Sequence, residues 1–224
     1  MIILAMDTTS QAMSVALLQG DRVLAELYLD AGRRHEETLV PAVEQVLFSA
    51  GVVMSDIDLF ACASGPGSFT GVRVGLGTAK GFARALNKPL AGVSSLEALA
   101  MNGVCGGMPI CPMMDARRGE IFAALYTGKP GDNLEQIIPE QVTTPERFID
   151  GIEGDILFLG DGSEVYREII QLKLQGRAHF AGPAAHRPSA ATVGRIALKK
   201  IDSDDSLPQR EVEPRYLRPS YAGM

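Results

Sequence analysis

The chain is poor in the residues from which metal sites, disulfide frameworks and nucleic-acid grooves are built. Cys62, Cys105 and Cys111 are odd in number, with no C-x-x-C pair and no regular spacing. That pattern argues against a disulfide framework or a zinc site and fits a reducing cytosol. The only histidines are His35, His179 and His186, and no two of them stand at helical ligand spacing. Neither a His-pair metal site nor a Ser/His/Asp triad can therefore be assembled from the sequence. His35-Glu36 opens like a zinc-protease signature, but H-E-x-x-H requires a second histidine where Leu39 stands. Basic residues never run beyond the pairs Arg33-Arg34, Arg117-Arg118 and Lys199-Lys200, and 27 acidic against 21 basic residues give a formal net charge of −6. Counterion release then offers little affinity for nucleic acid, so contact with RNA is expected only through a complex. Apolar runs stop well short of ~18 residues and no basic leader precedes the first strand pattern, so neither a membrane span nor a signal peptide is expected.

What is present is material for ordinary cores: 224 residues, 46% of them apolar. Ile2 to Met6, Met13 to Leu18 and Arg22 to Leu29 read as three strands, with Gly20-Asp21 as a hairpin turn. From Thr38 to Ala50, Leu39, Val43, Val46, Leu47 and Ala50 share one helical face, with Pro41 placed in the first turn and Gly51 as the stop. A strand over 57–63, a helix from about Thr70 to Leu86, a strand over Leu90 to Val93 and a helix opened by the capping box Ser94-x-x-Glu97 follow. The order is that of a mixed α/β lobe, a hairpin meander followed by strand–helix crossovers.

Glycines at 103, 106 and 107 mark the connection to a less regular second half. Residues 1–104 are expected as one lobe and 105–224 as a smaller one. The second half reads as a hairpin around Arg117-Arg118-Gly119, a helix from Pro145, a strand over 156–159, a helix over 164–174 and a helix over 190–201. A polar linker at 203–210 and an unassigned tail from Val212 complete it.

The segment from Ser64 to Gly77, S-G-P-G-S-F-T-G-V-R-V-G-L-G, carries the most information. Gly65-Pro66-Gly67 breaks the preceding strand, Ser68 or Thr70 caps the helix, and Asn87 with Pro89 stops it. Each glycine inside a helix is unfavourable by roughly 1 kcal/mol relative to alanine, so Gly71, Gly75, Gly77 and Gly81 require compensation. Small residues four apart admit close approach of another backbone, either within the same fold or from a second subunit. Gly71, Gly75, Thr78, Ala79 and Phe82 fall along one side.

Phosphate chemistry finds weak support. Gly67 to Val72 lacks the Lys-Ser/Thr of a Walker A loop, and Gly65, Gly67 and Gly71 miss the G-x-G-x-x-G spacing. Asp7, Thr8 and Thr9, at the end of the first strand, are weak candidates to hold a metal-bound phosphate, and the same residues are what turn chemistry selects. Asp115, Glu120 and Asp161 are candidate acids, each beside turn residues and read as structural.

Several segments together resemble the bacterial TsaB family, also called YeaZ. They are Ile3 to Thr9, Arg34 to Pro41, Gly65 to Gly75, Gly92 to Leu96, Asp115-Ala116-Arg117 with Glu120, and Pro214 with Tyr216-Leu217-Arg218. The resemblance implies an actin-like ATPase fold (ribonuclease H-like) of two lobes, each a mixed sheet with helices. It implies a cytoplasmic, non-catalytic partner of TsaD in making N6-threonylcarbamoyladenosine in tRNA, with TsaE joining the complex, tRNA met only through that complex, and homodimers formed through the same surface in isolation. Helices at about 36–50 and 70–86 would pair with the matching helices of TsaD. The interface so implied comprises His35, Glu37, Leu39, Gly71, Val72, Gly75, Thr78, Ala79 and Phe82, and Gly75→Trp is expected to abolish pairing while leaving the chain folded. No catalytic residue, metal or cofactor is expected in this chain, ATP and metal belonging to its partners. The competing reading is enzymatic: an actin-like nucleotide-binding protein, or a glycoprotease-like peptidase acting on its partner.

Overall fold

Two five-stranded sheets of the same topology organise the chain. The computed structural model describes residues 1–30, 32, 34–104, 107–129, 133–202 and 212–218. Cys105, Gly106, the expected linker over 203–210 and the last six residues of the tail lie outside them.

In the first sheet, β1 (Ile2–Asp7), β2 (Met13–Gln19) and β3 (Arg22–Leu29) form the antiparallel meander that the sequence predicts. On the other side of β1, β4 (Leu59–Gly65) and β5 (Leu90–Ser94) run parallel to it, giving the order β3-β2-β1-β4-β5. β1 is apolar almost throughout because both of its faces are covered. Leu4 and Met6 point to one side, into a core built with α1 (His35–Ala50) and α2 (Phe69–Leu86), which contribute Leu39, Val43, Val46, Leu76, Ala79 and Ala83. Ala5 points to the other side, where α7 (Ala190–Asp202) comes so close that a Cβ on Gly194 would lie 2.6 Å from Leu18 Cδ1.

The helix ends follow local chemistry in part. Ser68 caps α2 by accepting from the Gly71 N–H at 3.3 Å, and Asn87 closes it in the left-handed conformation. Gly51 ends α1 in the same way, but α1 starts at His35, a turn before the expected start at Thr38, so Pro41 sits inside the helix rather than in its first turn. α3 (Ser95–Met101) follows β5, with Ser94 Oγ accepting from the Glu97 N–H at 3.3 Å.

The second sheet is built from β6 (Ile110–Arg117), β7 (Glu120–Thr127), β8 (Glu135–Thr143), β9 (Ile156–Leu159) and β10 (Ala178–Phe180), in the order β10-β9-β6-β7-β8. Its central strand again has an antiparallel meander on one side and parallel strands on the other. The sequence reading missed β8, whose central Pro139 and mostly exposed side chains suit an edge strand and hide its period. The helix expected over 164–174 is divided into α5 (Asp161–Val165) and α6 (Arg167–Leu174), and α4 (Pro145–Ile149) is capped by Thr144. Phe148, Ile149, Ile152, Ile170 and Leu174 cover this sheet.

The two units are residues 1–98 with 188–215, and residues 99–187 with 216–224. The sequence reading expects a single boundary after residue 104, whereas here residues 188–215 group with the first unit. α7 follows the second sheet in sequence yet seals the first: the Ala190 N–H donates to Ser14 Oγ at 3.0 Å, and the Ala191 N–H and Ser189 Oγ both donate to Glu26 Oε1, at 3.1 and 3.0 Å.

Candidate partner interface

α2 leaves the end of β4 through Gly65-Pro66-Gly67 and crosses the end of β1 at a separation only glycine permits. A Cβ on Gly71 would lie 2.0 Å from Thr8 O, and one on Gly75 would lie 2.3 Å from Thr8 Oγ1 and 3.4 Å from Cys62 Sγ. Thr8 Oγ1 in turn donates to Gly71 O at 2.7 Å. The two glycines singled out in the sequence for a partner are thus pressed against the chain's own first turn, the close approach within one fold that small-residue spacing equally allows.

Most of the implied interface set lies inside the lobe in the isolated chain. Leu39, Val72 and Ala79 belong to the interior, His35 is buried, and Gly71 and Gly75 are sealed by Thr8. Thr78 is half-buried, and Phe82 leans against the core with its ring centroid 6.1 Å from that of Phe60. Of the nine, Glu37 alone is exposed. Gly75→Trp would put an indole where no methyl fits, so it would disrupt the fold rather than leave the chain intact.

The outward face is made of other residues. Gly77 and Gly81, four apart on α2, have no atom within 4 Å of a Cβ, and Ala85, one turn on, is exposed. On α1, which packs on the same side of the sheet, Val40 is 42% exposed and Phe48 84% exposed. Helix amphipathicity was the signal that could have found them: Leu76, Ala79 and Ala83 mark the buried side of α2, and 77, 81 and 85 lie away from it.

The turn after β1 is closed. Asp7, Thr8 and Thr9 are each 2% exposed or less. Asp7 Oδ1 accepts from the Thr9 N–H at 2.8 Å and from Thr9 Oγ1 at 2.7 Å, while Thr9 O accepts from the Ser68 N–H at 2.7 Å. Burial pushes the Asp7 carboxyl above its ordinary pKa, against the pull of the Thr9 hydrogen bonds and of nearby His35. His35, the first residue of α1, joins its Nε2 to Ser10 O at 2.8 Å, so both helices hold this turn. Burial also pushes the Cys62 thiol far up, which leaves it protonated and unreactive.

In the second unit the candidate acids serve a hairpin. Asp115 Oδ1 accepts from the Arg117 N–H at 2.9 Å, Asp115 Oδ2 pairs with Arg117 Nη1 at 2.9 Å, and Asp161 Oδ1 accepts from the Asp115 N–H at 3.1 Å. They steady a turn in which Arg117, Arg118 and Gly119 all have positive φ, at 64°, 58° and 78°. Arg218 locks the same turn, its Nη1 donating to Ala116 O at 3.1 Å and its Nη2 pairing with Glu120. Among the described residues no three of His, Cys, Asp and Glu stand together as a metal site, and no helix is long and apolar enough to cross a membrane.

Comparison with known proteins adds to this geometry. The family model described as "TsaD: tRNA N6-adenosine threonylcarbamoyltransferase" matches residues 29–223. The "tRNA threonylcarbamoyladenosine biosynthesis protein TsaB" of Bacillus subtilis is 34% identical over 221 residues, spanning 97% of this chain and 94% of that protein. The solved structure of YeaZ from Pseudomonas aeruginosa superposes with a TM-score of 0.84 at 30% identity, over 96% of this chain and 99% of that one. A dehydratase component of Acidaminococcus fermentans, 12% identical with a TM-score of 0.54 over 90% of this chain and 99% of its own, shares the actin-like fold alone.

Proposed function

This chain belongs to the TsaB (YeaZ) family of tRNA threonylcarbamoyladenosine biosynthesis proteins, and on that premise we propose that it is the non-catalytic subunit that pairs with and activates TsaD. TsaD transfers the threonylcarbamoyl group to N6 of adenosine 37 in tRNAs that read codons beginning with A. This chain contributes no group to that chemistry; it holds TsaD in a competent arrangement. TsaE joins the pair, tRNA is met through the complex, and the assembly works in the cytoplasm.

The observation that carries the reading is the outward face of α1 and α2. Gly77, Gly81 and Ala85 leave an open strip of small residues along α2 on which another helix can settle at short range, and Phe48 on α1 is almost fully exposed. Covering a Phe side chain stabilises an interface by roughly 1.5–3 kcal/mol, and exposed apolar side chains together with an open small-residue helix face suit a helix-on-helix contact. The closed Asp7 turn supports a scaffold over a nucleotide-hydrolysing role, because the oxygens that would meet a phosphate are bonded inside the lobe.

An omission assay tests the proposal. Modified nucleoside is measured on cognate tRNA with TsaD, TsaE, the adenylate-forming enzyme and ATP, with and without this chain. Product dependent on the chain supports the reading, and equal product without it refutes it.

A further inference from the structure

The start of the tail that the sequence leaves unassigned, residues 212–215, packs on the first unit and laces three of its elements together. Val212 is 3% exposed and fills the notch left by Gly92 on β5, where a Cβ would lie 2.6 Å from Val212 Cγ1. Glu213 Oε1 meets Lys80 Nζ of α2 at 2.9 Å. The Arg215 N–H donates to Ser64 O at the end of β4 at 2.8 Å, and Arg215 O lies 2.7 Å from the position of a Cβ on Gly65, whose φ of +108° only glycine holds without strain. Pro214 fixes its own φ and presses Glu213 toward an extended conformation, so the segment is stiff, spanning roughly 10 Å between its anchors. One end is pinned by packing, the middle by charge on α2 and the other end by a backbone hydrogen bond beside the junction from which α2 springs.

We propose that residues 212–215 are a strap that positions α2 for pairing, with Val212 and Glu213 as positioning residues that need not touch the partner. The proposal rests on the pairing reading above and adds that the outward face of α2 is presented correctly only while the strap is seated. α2 is burdened with four glycines and depends on outside contacts to hold its pitch. The strap supplies such contacts at both the Gly65 junction and Lys80.

The test uses the full chain and two readouts. Hydrogen exchange of the amides in 64–80 is followed in the isolated protein, and affinity for TsaD is measured by titration. Val212→Asp is expected to speed exchange across 64–80 by tenfold or more while the β2–β3 hairpin stays protected, and to weaken pairing by at least tenfold. Glu213→Lys perturbs no core: exchange over α2 should rise about threefold and return to the wild-type rate in the Lys80→Glu, Glu213→Lys double variant. Unchanged exchange over 64–80 in both Val212→Asp and Glu213→Lys overturns the strap. Faster exchange with undiminished pairing overturns its role in presentation. Gly77→Trp, which leaves the strap untouched, keeps the two ideas apart: if that variant pairs normally, the pairing reading fails, whatever the strap does.

Discussion

Alanine placed at two glycines of α2 should act in opposite directions, because one glycine is inside the lobe and the other faces open space. At Gly71 a Cβ would meet Thr8 O at 2.0 Å and Thr8 C at 3.2 Å, both backbone atoms that no side-chain rotation can remove. Overpacking of this kind is unfavourable by about 1–3 kcal/mol, and the 2.7 Å Thr8 Oγ1 to Gly71 O hydrogen bond would be strained with it. Gly71 also lies in the first helical turn, where the propensity gained from alanine is small. At Gly77, with no atom within 4 Å of a Cβ, the substitution recovers helix propensity unopposed, about 1 kcal/mol. The two variants should therefore differ by about 2–4 kcal/mol, with Gly77→Ala above wild type and Gly71→Ala below it. Urea unfolding followed by circular dichroism reads the difference as a shift in midpoint at constant slope. For a chain of this size it corresponds to roughly 4–16 °C in Tm. A Gly71→Ala protein as stable as Gly77→Ala would refute the assignment of inner and outer faces.

Gly77→Trp and Gly81→Trp should leave the circular dichroism spectrum of the isolated chain unchanged while abolishing a stable complex with TsaD on size-exclusion chromatography; an intact complex would count against the proposed face. Phe48→Ser should weaken the same complex by roughly 1.5–3 kcal/mol in a titration, with little loss of stability, since the ring is already in water. Asp7 makes a pH prediction: its pKa is raised in the fold, so the native state binds the proton more tightly than the unfolded state, and its stabilising contribution is present at acid pH and lost as pH rises above the ordinary value of 3.8. Asp7→Asn, which keeps an acceptor for the two Thr9 bonds, should thus gain on wild type in Tm as pH rises from 4 to 7, and a gap that narrows instead would show the carboxylate to be favoured in the fold. Millimolar ATP should not shift the Tm of the isolated chain, whereas binding at 100 times Kd would add about 2.7 kcal/mol and reopen the nucleotide reading.

Local chemistry was legible wherever a few neighbouring residues decide the outcome. The meander of β1 to β3 follows from three short apolar runs with Gly20 at the turn between the last two, and α2 is bounded by Ser68 and Asn87 because a cap needs only a hydroxyl or a left-handed residue at the right place. The resemblance to TsaB was legible for a similar reason: the Gly65 to Gly75 segment obeys a steric demand so narrow that few other residues satisfy it.

Tertiary structure alone decided which glycines point inward. Gly71, Gly75, Gly77 and Gly81 are identical as residues, and a missing side chain signals close approach without naming what approaches; Thr8, more than sixty residues before Gly71, settles it for the first two. The placement of α7 is likewise non-local, since its apolar stripe fits any sheet face and only Ser14, Glu26 and the Gly194 gap assign it to the first. The sequence by itself determined most of the elements, several of their ends and the family; the fold determined which of their faces were left exposed, because burial depends on distances between residues far apart along the chain.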